Sequence, residues 1–313
     1  MKVAIPARIL MDILKALPEQ PITFLIDEDT FGVEISTENG KYKISGEDGT
    51  EFPLPPEPEN MESIQMPVPA LLKAINKTIF AASNDEDKVA LNGILFDLGE
   101  NGTTFVATDA HRLVRYRRLD VVNPNPTRFI VPQKALNLLK GSLDASSNND
   151  IIIRYNDNNA FFMTDDVLLT SRLIDAKYPD YENVIPVNND KKLFIPKKDL
   201  LGTLKRVNIF ANKSTHQVRF AMRGSELEIS CEDPDFANEA REVLKCHYEG
   251  EDLEIGFNAA LLLEVISNLD TESASIELSE SNRAGIVLPA EEDDNERMLM
   301  LIMPIMLNSY VSP

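Results

Sequence analysis

The chain repeats itself. Five times, a short run of strand-forming residues ends at a fixed point and a compact apolar helix pattern follows. The five runs are Val3-Ala4-Ile5-Pro6, Ile64-Gln65-Met66-Pro67, Phe129-Ile130-Val131-Pro132, Leu193-Phe194-Ile195-Pro196 and Leu253-Glu254-Ile255-Gly256-Phe257. With Pro6, Pro67, Pro132, Pro196 and Phe257 as anchors, the spacings are 61, 65, 64 and 61 residues. Apolar residues follow three anchors at offsets of four, five and eight: Leu71, Leu72, Ile75; Leu200, Leu201, Leu204; Leu261, Leu262, Val265. Leu10, Ile13 and Leu14 show a shifted register, and Leu136, Leu138 and Leu139 a looser one. A period this long marks one supersecondary unit used repeatedly. The anchor prolines fit the first turn of a helix, where a missing N–H costs nothing.

Between the helices the pattern is that of antiparallel strands. Ile22 to Ile26 and Phe31 to Ile35 flank an acidic turn, and Lys41 to Ile44 follows Asn39-Gly40, a hairpin signal. Similar pairs recur at Gly93 to Asp97 with Thr103 to Ala107, Ile151 to Tyr155 with Ala160 to Met163, Gln217 to Met222 with Leu227 to Cys231, and Ser275 to Leu278 with Gly285 to Leu288. The expected class is α+β, each unit being one helix plus antiparallel strands. A linker with Pro53, Pro55, Pro56 and Pro58, and a second break at Ile185 to Asp190, divide the chain into 1–60, 61–188 and 189–313. One unit cannot cover both faces of its helix, so units should pair into domains. The first unit then lacks a mate, and a front half-domain is expected to be missing.

Charge sharpens the picture. The net charge is −20, which alone argues against nucleic acid. The distribution matters more than the sum. Acids gather at Asp27-Glu28-Asp29, at Glu57, Glu59 and Glu62, and at Glu291 to Asp294. The helical windows 7–16, 68–83, 133–141 and 197–207 instead hold ten basic residues against two acids, Asp12 and Asp199. The bases are Arg8, Lys15, Lys73, Lys77, Lys134, Lys140, Lys197, Lys198, Lys205 and Arg206. The fifth helix, Ala259 to Asn268, departs from this with Glu264 and no base. The plain alternative is a set of ordinary solvated helix faces.

Catalytic and metal-binding signals are sparse. Three histidines exist, His111, His216 and His247. Cys246-His247 has no recurring ligand spacing, so neither metal nor cofactor is expected. Two cysteines make no disulfide framework, and with no signal peptide or apolar spanning run the expected location is the cytoplasm. Asp109 and His111 flank Ala110 and read either as an acid–base pair of a hydrolase or as a capped turn. The run Met298 to Leu307 is strand-like and methionine-rich. Its first half should be buried. Its second half, after Met303-Pro304, suits a surface that accommodates several partners.

Val106-Ala107-Thr108-Asp109-Ala110-His111-Arg112-Leu113, Thr170 to Asp175, Tyr178-Pro179-Asp180-Tyr181, Glu254 to Asn258 and Met303-Pro304, in this order, resemble the bacterial DNA polymerase sliding clamp family, the beta subunit of polymerase III. The resemblance runs from the first residue to about Leu307. It implies clamp domains of paired units, a head-to-tail homodimer closed around duplex DNA, and a non-enzymatic processivity factor. Residue by residue, it implies partner-peptide contacts at Leu91, Thr108, His111, Arg112, Leu113, Pro179, Val184, Gly285, Met303, Pro304, Ile305 and Met306. The partners implied are the replicative polymerase, the clamp loader and repair proteins. With helices lining the hole, Arg8, Lys73, Lys77, Lys134, Lys140, Lys197, Lys198, Lys205 and Arg206 are expected to face the DNA in part. The resemblance sets Ile13, Tyr42 and Ile44 against Ile209 and Phe210 at the dimer interface. The family carries a further unit ahead of the segment matching Val3 to Pro6, and its members end before the tail Asn308 to Pro313. The alternative is a ring-incompetent fragment that serves only as a peptide-binding scaffold.

Overall fold

A computed structural model describes residues 1–53, 61–146 and 148–307. Pro55, Pro56, Glu57, Pro58 and Glu59 of the linker, and the tail from Asn308, lie outside the described residues. Two compact units are present, Met1–Glu57 and Pro58–Pro313.

The first unit holds β1 (Val3–Ala4), α1 (Ala7–Ala16), β2 (Thr23–Ile26), β3 (Val33–Ser36), β4 (Lys41–Ile44) and β5 (Glu47–Asp48). Strands β2, β3 and β4 form one antiparallel sheet, and β1 pairs with β5. Its core is small: Val33, Ile35 and Ile44, with Leu10 and Ile13 of α1 packed against them. Phe24, Leu25 and Ile26 of β2 stay exposed, as do Ile9 and Met11 of α1. The β3–β4 connection closes through Thr37, whose hydroxyl and backbone N–H both bond the Gly40 carbonyl. Neither Asn39 nor Gly40 enters the left-handed region, so the hairpin is not the tight type their pairing suggests.

The second unit contains four repeats. The first has β6 (Glu62–Pro67), α2 (Val68–Thr78), β7 (Gly93–Gly99), β8 (Gly102–Thr108) and β9 (Arg112–Arg118). The next has β10 (Thr127–Pro132), α3 (Gln133–Ser142), β11 (Asp150–Tyr155), β12 (Asn159–Met163) and β13 (Leu168–Arg172). Then follow β14 (Lys191–Pro196), α4 (Lys197–Phe210), β15 (Gln217–Arg223), β16 (Glu226–Asp233), β17 (Asn238–Lys245) and β18 (His247–Glu249). The last has β19 (Leu253–Asn258), α5 (Ala259–Ser267), β20 (Ser273–Leu278), β21 (Gly285–Pro289) and β22 (Glu296–Ile302).

The repeats pair by exchanging first strands. β6 joins β11, β12 and β13, while β10 joins β7, β8 and β9. Likewise β19 joins β15, β16 and β17, and β14 joins β20, β21 and β22. A lone repeat would leave its first strand without a ladder. In the first unit β1 meets only β5, and β2 has no neighbour on its outer edge among the described residues. The two halves of the second unit are then fused by β9 pairing with β22, from Arg112↔Ile302 to Arg118↔Glu296. The result is one nine-stranded sheet.

That sheet is buried on both faces at its centre, where every residue of β8 is covered. Alternation sends Phe96, Phe105, Val114 and Met300 into the main core with Leu71, Ile75, Leu204, Leu262 and Val265. The opposite face carries Leu95, Val106, Leu113, Ile130 and Leu301, covered by Ile174, Tyr178, Tyr181 and Ile185. The anchor prolines stand one step earlier than the sequence suggests. Pro6, Pro67, Pro132 and Pro196 are N-cap residues with extended ψ, three of them closing a strand ladder. The loose third helix resolves into Leu136 and Leu139 facing the core, with Leu138 outside.

Candidate functional site

The turn between β8 and β9 is tied at nearly every polar atom. The Thr108 hydroxyl donates to the Arg112 carbonyl (2.6 Å) and accepts from the Ala110 N–H (3.1 Å). Asp109 Oδ1 accepts the backbone N–H groups of His111 and Arg112, both at 2.9 Å. Ala110 sits at φ 80°, in the region that favours glycine. Asp109 Oδ2 takes Arg112 Nε at 3.1 Å. The carboxylate thus meets His111 only through its backbone, and the acid–base pairing of a hydrolase is not formed.

Arg112 is turned inward. It is 7% exposed, and its guanidinium also reaches Glu264 Oε2 of α5 (2.7 Å) and the Phe80 carbonyl (2.7 Å), 5.2 Å from the centre of the Phe80 ring. Arg112, one of the positions expected to meet a partner peptide, has its guanidinium taken up by these contacts. Alternation along β9 points it to the main-core side, where carboxylates fix it. Gly285, opposite Ile302, is likewise buried, beneath Leu278 and Phe257.

The other expected partner-binding positions gather around this turn. Leu113 pairs with both Thr108 and Leu301 on the sheet, and packs in the outer-face cluster. Leu91 is buried, and its neighbour Ala90 packs on that same cluster. Pro179 and Val184 are exposed on the segment that covers the cluster. That segment is held by Tyr178 donating to the Val106 carbonyl (3.3 Å) and Tyr181 to Asp97 (2.8 Å). Burial pushes both phenols above the usual tyrosine range. His111 is exposed, and its carbonyl accepts the Met303 N–H at 2.8 Å. Beyond Met303 the chain leaves β22 and forms a strap to Leu307. Ile305 bridges to Gly256 on β19 through an N–H···O bond of 2.8 Å. Met303 and Met306 are exposed, Pro304 and Ile305 half-buried. A cavity of about 700 Å³ opens elsewhere along the covering segment, lined by Arg128, Tyr155, Lys177 and Tyr178; it shares only Pro179 with this set.

The basic helix residues divide into two groups. Lys77 is buried, its ammonium bonded to the Asn268 carbonyl (2.6 Å) and Asp270 (2.5 Å). Lys197 bonds the Leu269 carbonyl at 2.5 Å. Two lysines from different helices thus meet just beyond the C-terminal end of α5, where the helix dipole favours positive charge. Lys73 pairs with Glu296 (2.6 Å), and Arg206 with Glu242 (2.6 Å). These four of the nine expected DNA-facing bases thus have partners within the fold. Arg8, Lys134, Lys198 and Lys205 are exposed and Lys140 half-exposed, with no ion pair among the described residues.

At the expected interface positions, Ile44 is core, 6% exposed, with Ile13 packed beside it. That removes Ile44 from an open surface. Tyr42, Ile209 and Phe210 are exposed at 37%, 65% and 43%.

The DNA polymerase III beta subunit central domain matches residues 65–180, and the C-terminal domain of the same subunit matches 182–305. The beta sliding clamp of Synechococcus elongatus is 30% identical over 98% of this chain and 82% of its own length. The chain belongs to the beta sliding clamp family. The beta sliding clamp of Pseudomonas putida is also 30% identical, with 96% of this chain and 81% of the relative covered. A solved DnaN sliding clamp from Pseudomonas aeruginosa, bound to griselimycin, superposes with a TM-score of 0.88 at 29% identity, covering 97% of this chain and 81% of that one. The Thermotoga maritima beta subunit gives 0.85 at 27% identity over the same shares. As a sliding clamp, the chain is a non-catalytic processivity factor of DNA replication. Among the described residues, no helix is long and apolar enough to cross a membrane.

Glu264 and Phe80, the fixed points of Arg112, escape sequence reasoning. The one available signal was that Glu264 is the sole acid in an otherwise uncharged helix.

Proposed function

We propose that this sliding clamp tethers its partners through short peptides seated around the 108–113 turn, the 179–184 segment and the 303–306 strap. The domains would be 1–60, 61–188 and 189–313, the site lying where the second and third meet. The observation that carries the reading is the convergence at one end of the nine-stranded sheet. The His111 carbonyl holds the N–H of exposed Met303, Leu113 pairs with Thr108 and Leu301, and Val184 is exposed on the segment that covers the same apolar cluster. Apolar anchors such as Leu and Phe suit such a surface, and flexible methionines adapt to several peptides. DNA polymerase, clamp loader and repair proteins are the partners proposed, in the cytoplasm. The free bases Arg8, Lys134, Lys140, Lys198 and Lys205 supply weak phosphate contacts that leave duplex DNA able to slide. A head-to-tail dimer would set Tyr42 of one protomer against Ile209 and Phe210 of its partner.

A fluorescein-labelled pentapeptide ending in Leu-Phe, titrated against the full chain and against one lacking Met303 to Pro313, tests the site. Saturable binding to the full chain alone is expected. Equal affinity for both forms removes the strap from the site.

The outer edge of β2, which has no strand partner among the described residues, favours a second reading, a peptide-binding scaffold that closes no ring by itself. Sedimentation velocity separates the two: a tight dimer supports the ring, and a monomer that still binds peptide supports the scaffold.

A further inference from the structure

We propose that Gly256 is a positioning residue for the partner-peptide site, acting through the strap; the inference rests on the peptide-site reading above. β19 is an outer strand of its sheet, paired with β15 along one side only. On its other side lies a single bridge, made by Ile305 to Gly256. Pro304 has no N–H, so the β22 ladder stops there and the strap crosses from the nine-stranded sheet to the edge of β19.

The approach at the bridge is closer than a side chain permits. A Cβ on Gly256 would stand 2.5 Å from the Ile305 carbonyl oxygen and 2.8 Å from Leu307 Cδ2. The backbone of Gly256 is not left-handed, so glycine is required here for space and not for conformational freedom. Of the two sides, β19 has less room to move. Ile255 is fully buried and Phe257 is 1% exposed, and β15 pairs with the whole strand. A side chain at 256 therefore displaces the strap. The strap carries Met303, Pro304, Ile305 and Met306. Among the described residues, the backbone bonds that hold it to the rest of the fold are Met303 to His111 and Ile305 to Gly256, and Leu307 stands close over Gly256.

The test uses Gly256→Ala in the full chain, with Ile305→Pro as a second variant that removes the bridging N–H and leaves β19 untouched. The same labelled pentapeptide is titrated, and hydrogen exchange of segment 303–307 is followed by mass spectrometry. We expect both variants to bind about tenfold more weakly, equivalent to about 1.4 kcal/mol. Exchange in 303–307 should quicken while β15 and β19 stay protected. Wild-type affinity in Gly256→Ala overturns the proposal, as does unchanged exchange of the strap. Loss of protection throughout β15 and β19 also overturns it, because the effect then runs through the sheet. A wild-type chain that binds no peptide overturns the peptide-site reading itself, a result distinct from the others because it appears before any substitution is made.

Discussion

Arg112 shows how much one side chain fixes here. Its guanidinium joins the 108–112 turn, the Phe80 carbonyl and α5 at one buried point. Replacing it strands Asp109 beside a vacated cavity, and removing one partner of a buried pair costs about 3 kcal/mol or more. Glu264 is 55% exposed, so solvent screens it and its loss should cost less than about 1 kcal/mol. Urea unfolding of Arg112→Ala and Glu264→Gln is expected to show that asymmetry; equal losses would mean the exposed carboxylate matters as much as the buried fork. Ala110 offers the opposite case. At φ 80° a Cβ is strained, so Ala110→Gly should raise stability by up to about 1 kcal/mol in the same assay. The residues of this turn were legible through family resemblance. Arg112's inward orientation was not, because Glu264 lies 152 residues away and only the tertiary fold brings them together.

At the scale of elements, the helices were the most readable part. Strand, anchor position and helical apolar spacing recur with enough regularity to place all five. Their ends were less clear: α2 stops at Thr78 and α4 runs on to Phe210. What the sequence could not separate was a charge offered to solvent from a charge consumed within the fold. Lys77 and Lys198 look alike as letters on basic helices. One is buried against Asn268 and Asp270, and the other is exposed. Binding of a closed DNA circle, followed across a salt series, should tell them apart. Lys198→Ala with Lys205→Ala is expected to weaken binding and flatten the log–log salt slope by about 0.9 for each phosphate no longer neutralised. Lys77→Ala should leave that slope unchanged while lowering the melting temperature. A change of slope in Lys77→Ala would return that residue to the DNA surface.

For the whole molecule, the buried tyrosines set an alkaline limit. Tyr248 is pushed up to about 12, chiefly by burial. Burial also raises Tyr116, Tyr155, Tyr178 and Tyr181 above their usual value. An unfolded tyrosine ionises near pH 10, so the folded state binds these protons more tightly than the unfolded one. Their contribution is complete below about pH 10 and lost as pH climbs from there through 12. Circular dichroism and phenolate absorbance, recorded together, should change as one transition in that window. Phenolate appearing well before loss of structure would show these rings to be more accessible than their burial indicates. The pairing of repeats was expected from the linkers, because one sheet face needs a second layer. The exchange of first strands was not, since nothing in a single repeat says which ladder its opening strand will join.

That exchange bears on how such a molecule grows or divides. A cut between Arg172 and Lys191 separates repeats that share no exchanged strand, so the first fragment keeps two four-stranded ladders and the second keeps one of four strands and one of five. A cut between Arg118 and Thr127 parts two repeats that each complete the other's sheet. Split-protein complementation should therefore tolerate the first site and reject the second. By the same logic a single duplicated repeat arrives with one strand no sheet accepts and one sheet a strand short. Genes for this architecture can gain or shed repeats two at a time far more readily than one.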